Sequence, residues 1–477
     1  MVGITQIEGF WGYMYWGNFL LAVFVMLNII LNNRNPIRTL AWIMVLLFIP
    51  FLGLVLYFFF GRDTRKIRYI GKRSLSRIMQ RSHLYYRSRR KVEIPPHYLG
   101  FASYLENTAS SYPMPGSGVE VITDTARFME QMLASIEGAK EHIHFQFYIF
   151  EDDELGCRVR DLLAKKASED VEVRVIYDSV GSWKVSSSFF NEIERAGGEV
   201  ESFLKVYFPI LGNRVNYRNH RKVVVVDGKY GFIGGCNIAD RYVKGVAWGP
   251  WRDTMLAITG SAVHGLQTSF LIDWYFANGT LVCGADYFPE LGVEGSAVVQ
   301  VAQSNPVGNN HVIMSAFVNM LALAKDYVYI QTPYIMLTDT VSLALRNASL
   351  SGVDVRLMVP LRGDNLVSNY AGYSYLGDLI DAGVKVYLYA DGFIHSKTVV
   401  SDGIISSVGS ANFDFRSFYY NFEVTAFVYD ASVATQLKTA FEEDMKKCRL
   451  LSKQEYASRS FVRKCVESAA RLLSPLL

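Results

Sequence analysis

Two long uncharged apolar stretches open the chain, at 10–31 and 39–60. At 22 residues each, either would make a helix of roughly 33 Å, enough to cross a hydrocarbon core of about 30 Å. Residues 1–9 carry no Lys or Arg, so a cleaved signal peptide, which wants a basic start and a shorter apolar run, fits poorly. Asn32-Asn33-Arg34-Asn35-Pro36 reads as a turn. The pattern therefore predicts a two-helix transmembrane hairpin over 1–61, with a buried soluble hairpin as its rival. Trp11, Tyr13, Tyr15 and Trp16 near one end, and Tyr57 near the other, suit the membrane interface. Beyond Pro95-Pro96 and a loop at 113–118, strand and helix patterns alternate as in an α/β domain. A strand at 142–150, a helix at 155–167 and a strand at 171–177 are followed by the same rhythm at 327–334, 338–348 and 353–359. Gln146 and Tyr148 of the first half are loosely echoed by Gln331 and Tyr334 of the second.

A stronger repeat lies later in each half. His220, Lys222, Asp227-Gly228, Gly234-Gly235 and Asn237 recur with the same spacing as His395, Lys397, Asp402-Gly403, Gly409-Ser410 and Asn412. His and Lys two apart leave the same face of a strand, so a cation stands beside each imidazole. The next four residues are mostly β-branched, as in a buried strand. Asp-Gly then predicts a hairpin turn and a returning strand. Gly234-Gly235 and Gly409-Ser410 remove bulk and let backbone N–H groups approach an anion, and Asn237 and Asn412 add side-chain donors. Two such hairpins meeting about a pseudo-twofold axis would gather two His, two Lys and two Asn around one phosphate. Asp227 and Asp402 are grouped with the catalytic set, although their position already accounts for them as turn residues. The other histidines, His83, His97, His142, His144, His264 and His311, read as ordinary partly buried side chains.

Composition sharpens this picture. Half of the 477 residues are hydrophobic and only 19% are charged, against about a quarter in a typical soluble domain. Disordered and fibrous classes are excluded. Five scattered cysteines without Cys-x-x-Cys argue against a disulfide scaffold, a zinc module or an iron–sulfur site. The formal net charge of +3 hides an asymmetry: residues 62–91 hold twelve Lys or Arg against Asp63 alone, about +11, so the remainder is about −8. Such a collar directly after the second apolar stretch places the C-terminal part in the cytoplasm by the positive-inside rule. It also suits anionic lipid better than nucleic acid, because aromatics within it are few.

The duplicated His-x-Lys-x4-Asp motif with its following Gly-Gly/Ser-x-Asn resembles the phospholipase D superfamily. Asn35 to Trp42, Tyr57 to Gly61, Asn216 to Lys222, Gly409 to Ser417 and the terminal 471–477 resemble the bacterial cardiolipin synthases, so the likeness covers essentially the whole chain. It implies an α/β fold of two pseudo-twofold-related repeats, at 118–288 and 289–477, forming one catalytic unit. A basic juxtamembrane segment and linker at 62–117 would join it to the membrane hairpin. It implies a phosphatidyltransferase of the bacterial inner membrane, multi-pass and facing the cytoplasm, with no cofactor and no metal. Its partners would be phosphatidylglycerol and anionic membrane lipid, and no nucleic acid; homo-oligomerisation is left open. One histidine would take a phosphatidyl group while the other moves the proton. Lys222, Lys397, Asn237 and Asn412 would stabilise charge on the phosphate oxygens.

The superfamily usually orients each histidine with an acid about thirty positions downstream, which matches Asp253 to His220 and Glu423 to His395. Following the usual two-repeat pattern, His220 is read as the nucleophile and His395 as the acid and base. Arg218, Arg221 and Lys222 around His220 would favour a neutral ring, and Glu423 would help His395 to carry a proton. Gly235, where the second repeat has Ser410, removes a hydroxyl contact to phosphate on that side. Residues 203–211 with Trp248 and Trp251 could line an acyl-chain path, or equally well pack a core. Competing readings are hydrolysis or transfer to another acceptor at the same site, action on DNA, and a catalytically dead membrane scaffold.

Overall fold

In the computed structural model, the described residues are 2–31, 36–61, 69–89, 92–205, 216–307, 310–475 and 477. They fall into two compact units, one ending at Gly61 and the other running from Tyr69. The loop at 32–35, part of the basic collar and residues 206–211 of the expected acyl-chain path lie outside the described residues.

The N-terminal unit begins with a helix Val2–Leu31, followed by Pro36–Phe48. Ile29, Leu46 and Tyr57 form its small core, with Val25, Met26, Trp42 and Leu54 packed on it. The second apolar stretch departs from expectation. Proline has no N–H and its ring clashes with the carbonyl four residues back, so at Ile49 the backbone leaves helical geometry (φ −136°, ψ 63°). Pro50–Leu56 starts afresh and closes in a π turn at Tyr57–Gly61. Among the described residues no helix is long and apolar enough to cross a membrane.

The larger unit is built on a sixteen-stranded sheet whose order mirrors about its middle. At the centre Met114–Ile122 pairs antiparallel with Ala297–Ser304. Outward on one side come Met255–Thr259, Tyr230–Gly234, Val223–Val226, His142–Phe147, Glu172–Asp178 and Glu199–Phe203. Their counterparts on the other side are Asn421–Tyr429, Ile405–Gly409, Thr398–Ser401, Tyr327–Gln331, Asp354–Pro360 and Lys385–Tyr389, with Cys448–Leu450 at the edge. The repeat seen in the motifs is thus a repeat of whole half-sheets.

The run Val223–Val226 is apolar throughout because both of its faces are covered. Val224 and Val226 join Phe145, Val175 and the helices Thr125–Glu137 and Glu154–Ser168. Val223 and Val225 face a core shared with Val400, Val408, Val424 and Ala426 of the second repeat. The two half-sheets therefore pack against each other and carry helices on their outer faces. Asp227 and Gly228 have φ of 52° and 62°, and Asp402 and Gly403 52° and 66°. Both central turn positions are left-handed, as a tight hairpin with this twist requires.

Two expectations change in this unit. Most of the Pro- and Gly-rich 113–118 belongs to the central strand, which starts at Met114, with its register shifted between Met114 and Ser117. A bulge is where a sheet tolerates proline and a glycine at positive φ, and Gly116 has φ 73°. The expected linker is also partly folded into the catalytic unit. Tyr98, Phe101 and Leu105, on and beside the helix Leu99–Ala109, are buried in the second repeat's core.

Candidate active site

Each motif histidine is placed by a two-residue parallel ladder to the other repeat. Arg218–Asn219 runs beside Asn421 and Phe422, and the His220 N–H donates to the Phe422 carbonyl at 2.9 Å. Phe393–Ile394 runs beside Trp251–Arg252, and the His395 N–H donates to the Arg252 carbonyl at 2.7 Å. One step further along each ladder, a histidine meets an acid. His220 Nδ1 lies 3.0 and 3.1 Å from the two Glu423 oxygens, and His395 Nδ1 lies 2.6 Å from Asp253 Oδ2. The sequence-based pairing of Asp253 with His220 and of Glu423 with His395 is therefore corrected: each acid serves the histidine of the opposite repeat. An acid of one repeat is delivered to the histidine of the other by the ladder, which separation along the chain does not reveal.

Both imidazoles open on one cavity of about 480 Å³ that Asn237, Asn412, Tyr148, Tyr334, Trp251, Arg241 and Arg416 also line. With Nδ1 held by a carboxylate, Nε2 is the ring atom left for a ligand. Tyr148 stands edge-on to His220 at 4.9 Å, and Trp251 lies 5.0 Å from His395. Lys222 and Lys397 are buried beneath, each ammonium donating to the backbone carbonyl of its own histidine at 2.6 and 2.5 Å. Asn237 is committed locally: its oxygen accepts from the Ile149 N–H at 3.0 Å and its amide donates to the Tyr242 hydroxyl at 2.5 Å. Asn412 donates to Asp414 at 3.1 Å, while its buried side-chain oxygen has no hydrogen-bond partner among the described residues.

Burial dominates the electrostatics, because it disfavours every charged form. His220 is pushed down to about 4, with Glu423 partly opposing and Lys222 adding to the shift. His395 is pushed down to about 3, with Lys397 adding and Asp253 opposing. Both rings are thus neutral at ordinary pH in the open site. Burial also lowers Lys222 strongly and Lys397 to about 8. It would raise the two carboxyls, but the facing imidazoles and lysines outweigh it and hold Glu423 and Asp253 below their ordinary values. A phosphate anion entering this cavity would relieve the crowding of positive charge.

Three other expectations are revised. Asp227 accepts from the backbone N–H groups of Lys140, Glu141 and His142, and Asp402 does the same for Lys325, Asp326 and Tyr327. These carboxylates sit past the far end of the strands from the imidazoles and fasten the start of the neighbouring strand, so they are turn and anchor residues outside the cavity. The Ser410 hydroxyl donates to Glu423 rather than facing a phosphate. Its counterpart must be glycine, since a Cβ on Gly235 would lie 2.2 Å from Asp253 Oδ1. The basic neighbours of His220 do not face its ring: Arg218 pairs with Asp178 at 3.3 Å and Arg221 with Asp273 at 2.5 Å. Phe203 packs with Phe276 and Phe422 in the core, Trp248 lies under Arg362, and among the described residues of the expected path only Trp251 reaches the cavity.

A supporting layer behind the acids escaped sequence reasoning. Asp273 accepts from Gln146 at 2.5 Å, Asn219 at 2.8 Å, Arg221 and Tyr69, and Arg221 in turn donates to the Glu423 carbonyl at 3.1 Å. Its mirror image is Asp444, which accepts from Gln331 at 2.9 Å and Arg252 at 2.8 Å, while Arg252 donates to the Asp253 carbonyl. In each half a helix carboxylate thus holds an arginine that grips the backbone of a histidine-bound acid. The Gln146 and Gln331 echo was the visible trace of this layer.

Comparison with known proteins agrees with the duplicated architecture. The family described as "Cardiolipin synthase, PLD-like domain" matches residues 132–270 and 317–445, and "Phospholipase_D-nuclease N-terminal" matches 20–62. The chain is 39% identical to the major cardiolipin synthase of Bacillus subtilis (strain 168) over 96% of its own length and 99% of that protein. It is 39% identical to cardiolipin synthase 2 of Bacillus anthracis, over 94% and 88% respectively. Among solved structures, phosphatidylserine synthase of Haemophilus influenzae Rd KW20 has a similar fold, with a TM-score of 0.63 at 15% identity over 79% of this chain and all of that one.

Proposed function

The chain belongs to the cardiolipin synthase family of the phospholipase D superfamily, and from that premise we propose that it joins two phosphatidylglycerol molecules into cardiolipin and releases glycerol. The observation that carries this reading is the pair of imidazoles on one cavity, each with Nδ1 on a buried carboxylate and Nε2 left for substrate. His220 Nε2 attacks phosphorus, the bond to the glycerol oxygen breaks, and His395 protonates that oxygen as glycerol leaves. The glycerol hydroxyl of a second phosphatidylglycerol then gives its proton to His395 and attacks the phosphohistidine, restoring His220. Splitting one displacement into two lowers each barrier. Lys222, Lys397 and the second N–H of each asparagine amide, the first being held by Tyr242 or Asp414, offset the charge on the non-bridging oxygens.

The division of labour between the histidines rests on their acids. Glu423 already accepts from Ser410 and from Asn421 at 3.2 Å besides His220. Asp253 has His395 and the Thr254 N–H at 2.8 Å, and Gly235 adds no hydroxyl. Lys397 depresses His395 a little further than Lys222 depresses His220 in the open site, so the choice of His395 as the proton carrier rests on its less satisfied carboxylate once the substrate anion offsets that lysine.

The N-terminal unit is read as a membrane-inserted hairpin. Phe24, Leu27, Leu40, Phe48, Phe51 and Leu52 all point outward, where lipid would cover them; helices that are apolar all round belong in such surroundings. A break at proline is tolerated there when neighbouring groups satisfy the freed backbone. The basic collar then sets the catalytic unit on the cytoplasmic side.

Product analysis tests the activity. Purified protein given phosphatidylglycerol as its sole lipid is expected to yield cardiolipin and glycerol in equal amounts. Phosphatidic acid as the main product would replace transfer with hydrolysis.

A further inference from the structure

The C-terminal helix Phe461–Arg471 is mounted with its polar side inward. Glu467, 1% exposed, is gripped by Arg459 and by Arg463 at 2.8 Å, and Ala470 is buried next to it. Arg463 lies over Tyr373 at 4.6 Å and Arg471 over Tyr375 at 4.2 Å, which fastens this side to the second repeat. At 100° per residue, Phe461, Val462, Cys465, Val466 and Ala469 fall on the opposite arc, and Leu472 and Leu473 continue it. That whole arc faces outward: Phe461 is 80% exposed, Val462 71% and Leu472 81%. A helix of a soluble enzyme turns its apolar stripe toward the core, and a contiguous apolar patch left outside marks an interaction surface.

Two further observations say what covers it. The charges at the border of this arc are positive: Lys464 is exposed, and Arg463 and Arg471, although turned to Glu467 and to the Tyr375 ring, stay exposed in part, while the helix's one carboxylate is buried and paired. The patch also leads to the active site. The helix packs on Leu366–Tyr373, which exposes Leu366, Val367 and Tyr370 and whose Ser368, with Asn365, lines the catalytic cavity. We propose that the helix Phe461–Arg471 and the exposed side of Leu366–Tyr373 form a docking surface by which the catalytic unit lies on an anionic lipid bilayer beside its own cavity. An apolar stripe flanked by cations is the form of an interfacial helix. On the phosphatidyl-transfer reading, on which only the choice of phosphatidylglycerol as the lipid rests, such contact lets a lipid headgroup reach the imidazoles while its acyl chains stay in the bilayer.

The test uses the full chain in vesicles of phosphatidylcholine with phosphatidylglycerol. Cys465 lies on the exposed arc and, with the other four cysteines replaced by serine, takes a fluorophore. Lipids bearing a nitroxide on the acyl chain are expected to quench it at least twofold. In the F461D/V462D variant quenching should be lost, and turnover on vesicles should fall roughly tenfold while turnover on dispersed short-chain phosphatidylglycerol holds. An unquenched label on an enzyme that still makes cardiolipin would overturn the docking surface and leave the function standing. An unquenched label that cross-links to a second chain would likewise overturn it, in favour of self-association. Quenching without cardiolipin synthesis would support the surface and count against the function instead.

Discussion

Lys397 carries its charge on narrow terms. Burial lowers it to about 8, with Asp253 and Glu423 opposing the shift, so the cation is present below that pH and is lost as the pH rises through it. If this charge offsets phosphate oxygens, kcat/KM should fall above about pH 8, since that ratio reports the free enzyme. The limb in kcat should lie higher, because a bound phosphodiester favours the ammonium. Lys397→Arg, which keeps its charge, should remove the alkaline limb whatever it does to the plateau; a limb unmoved near pH 8 in that variant would assign the titration elsewhere. The identities of His220, Lys222, His395 and Lys397 were legible from duplicated spacing alone. The place of Asp227 and Asp402 was not, because a motif shows that a residue recurs and not which way it faces. Their left-handed backbone and three N–H partners each belong to the turn.

Strand pairing decides which acid meets which histidine. The Asp-Gly hairpins and the valine run were readable because turn chemistry and burial act over a few residues. The ladders of Arg218–Asn219 with Asn421–Tyr429, and of Phe393–Ile394 with Trp251–Arg252, join segments far apart in the chain, and local pattern says nothing of them. The same limit hid the start of the central strand within 113–118, where proline and glycine mark a bulge rather than a loop, and the break at Pro50 inside an otherwise uniform apolar run. The crossed pairing has its own consequence. With an activated phosphatidyl substrate whose leaving group needs no proton, Asp253→Asn should still give a burst and accumulate the phosphohistidine, because it impairs His395 alone. Glu423→Gln should abolish the burst, because it impairs His220. The opposite outcome would make His395 the nucleophile and His220 the proton carrier.

At the scale of the molecule, the mirror order of the sheet explains how two unremarkable half-sites become one. Each half supplies a histidine, a lysine and the acid for its partner, and the core shared by Val225, Leu256, Val408 and Val424 fixes them together. The apolar N-terminal unit and the basic collar add an orientation. Labelling in intact cells of a cysteine placed at Asn33 should come from outside, and labelling of one placed at exposed Trp183 only after lysis. Labelling of the latter from outside would reverse the topology. The two-histidine account itself is tested most directly by trapping the covalent intermediate. Full-length protein mixed with phosphatidylglycerol labelled in its phosphatidyl group, quenched in alkali and mapped by peptide, should carry the label on His220 and lose it in His220→Ala. Label on His395 in the unaltered protein, or label that persists in His220→Ala, would contradict the account.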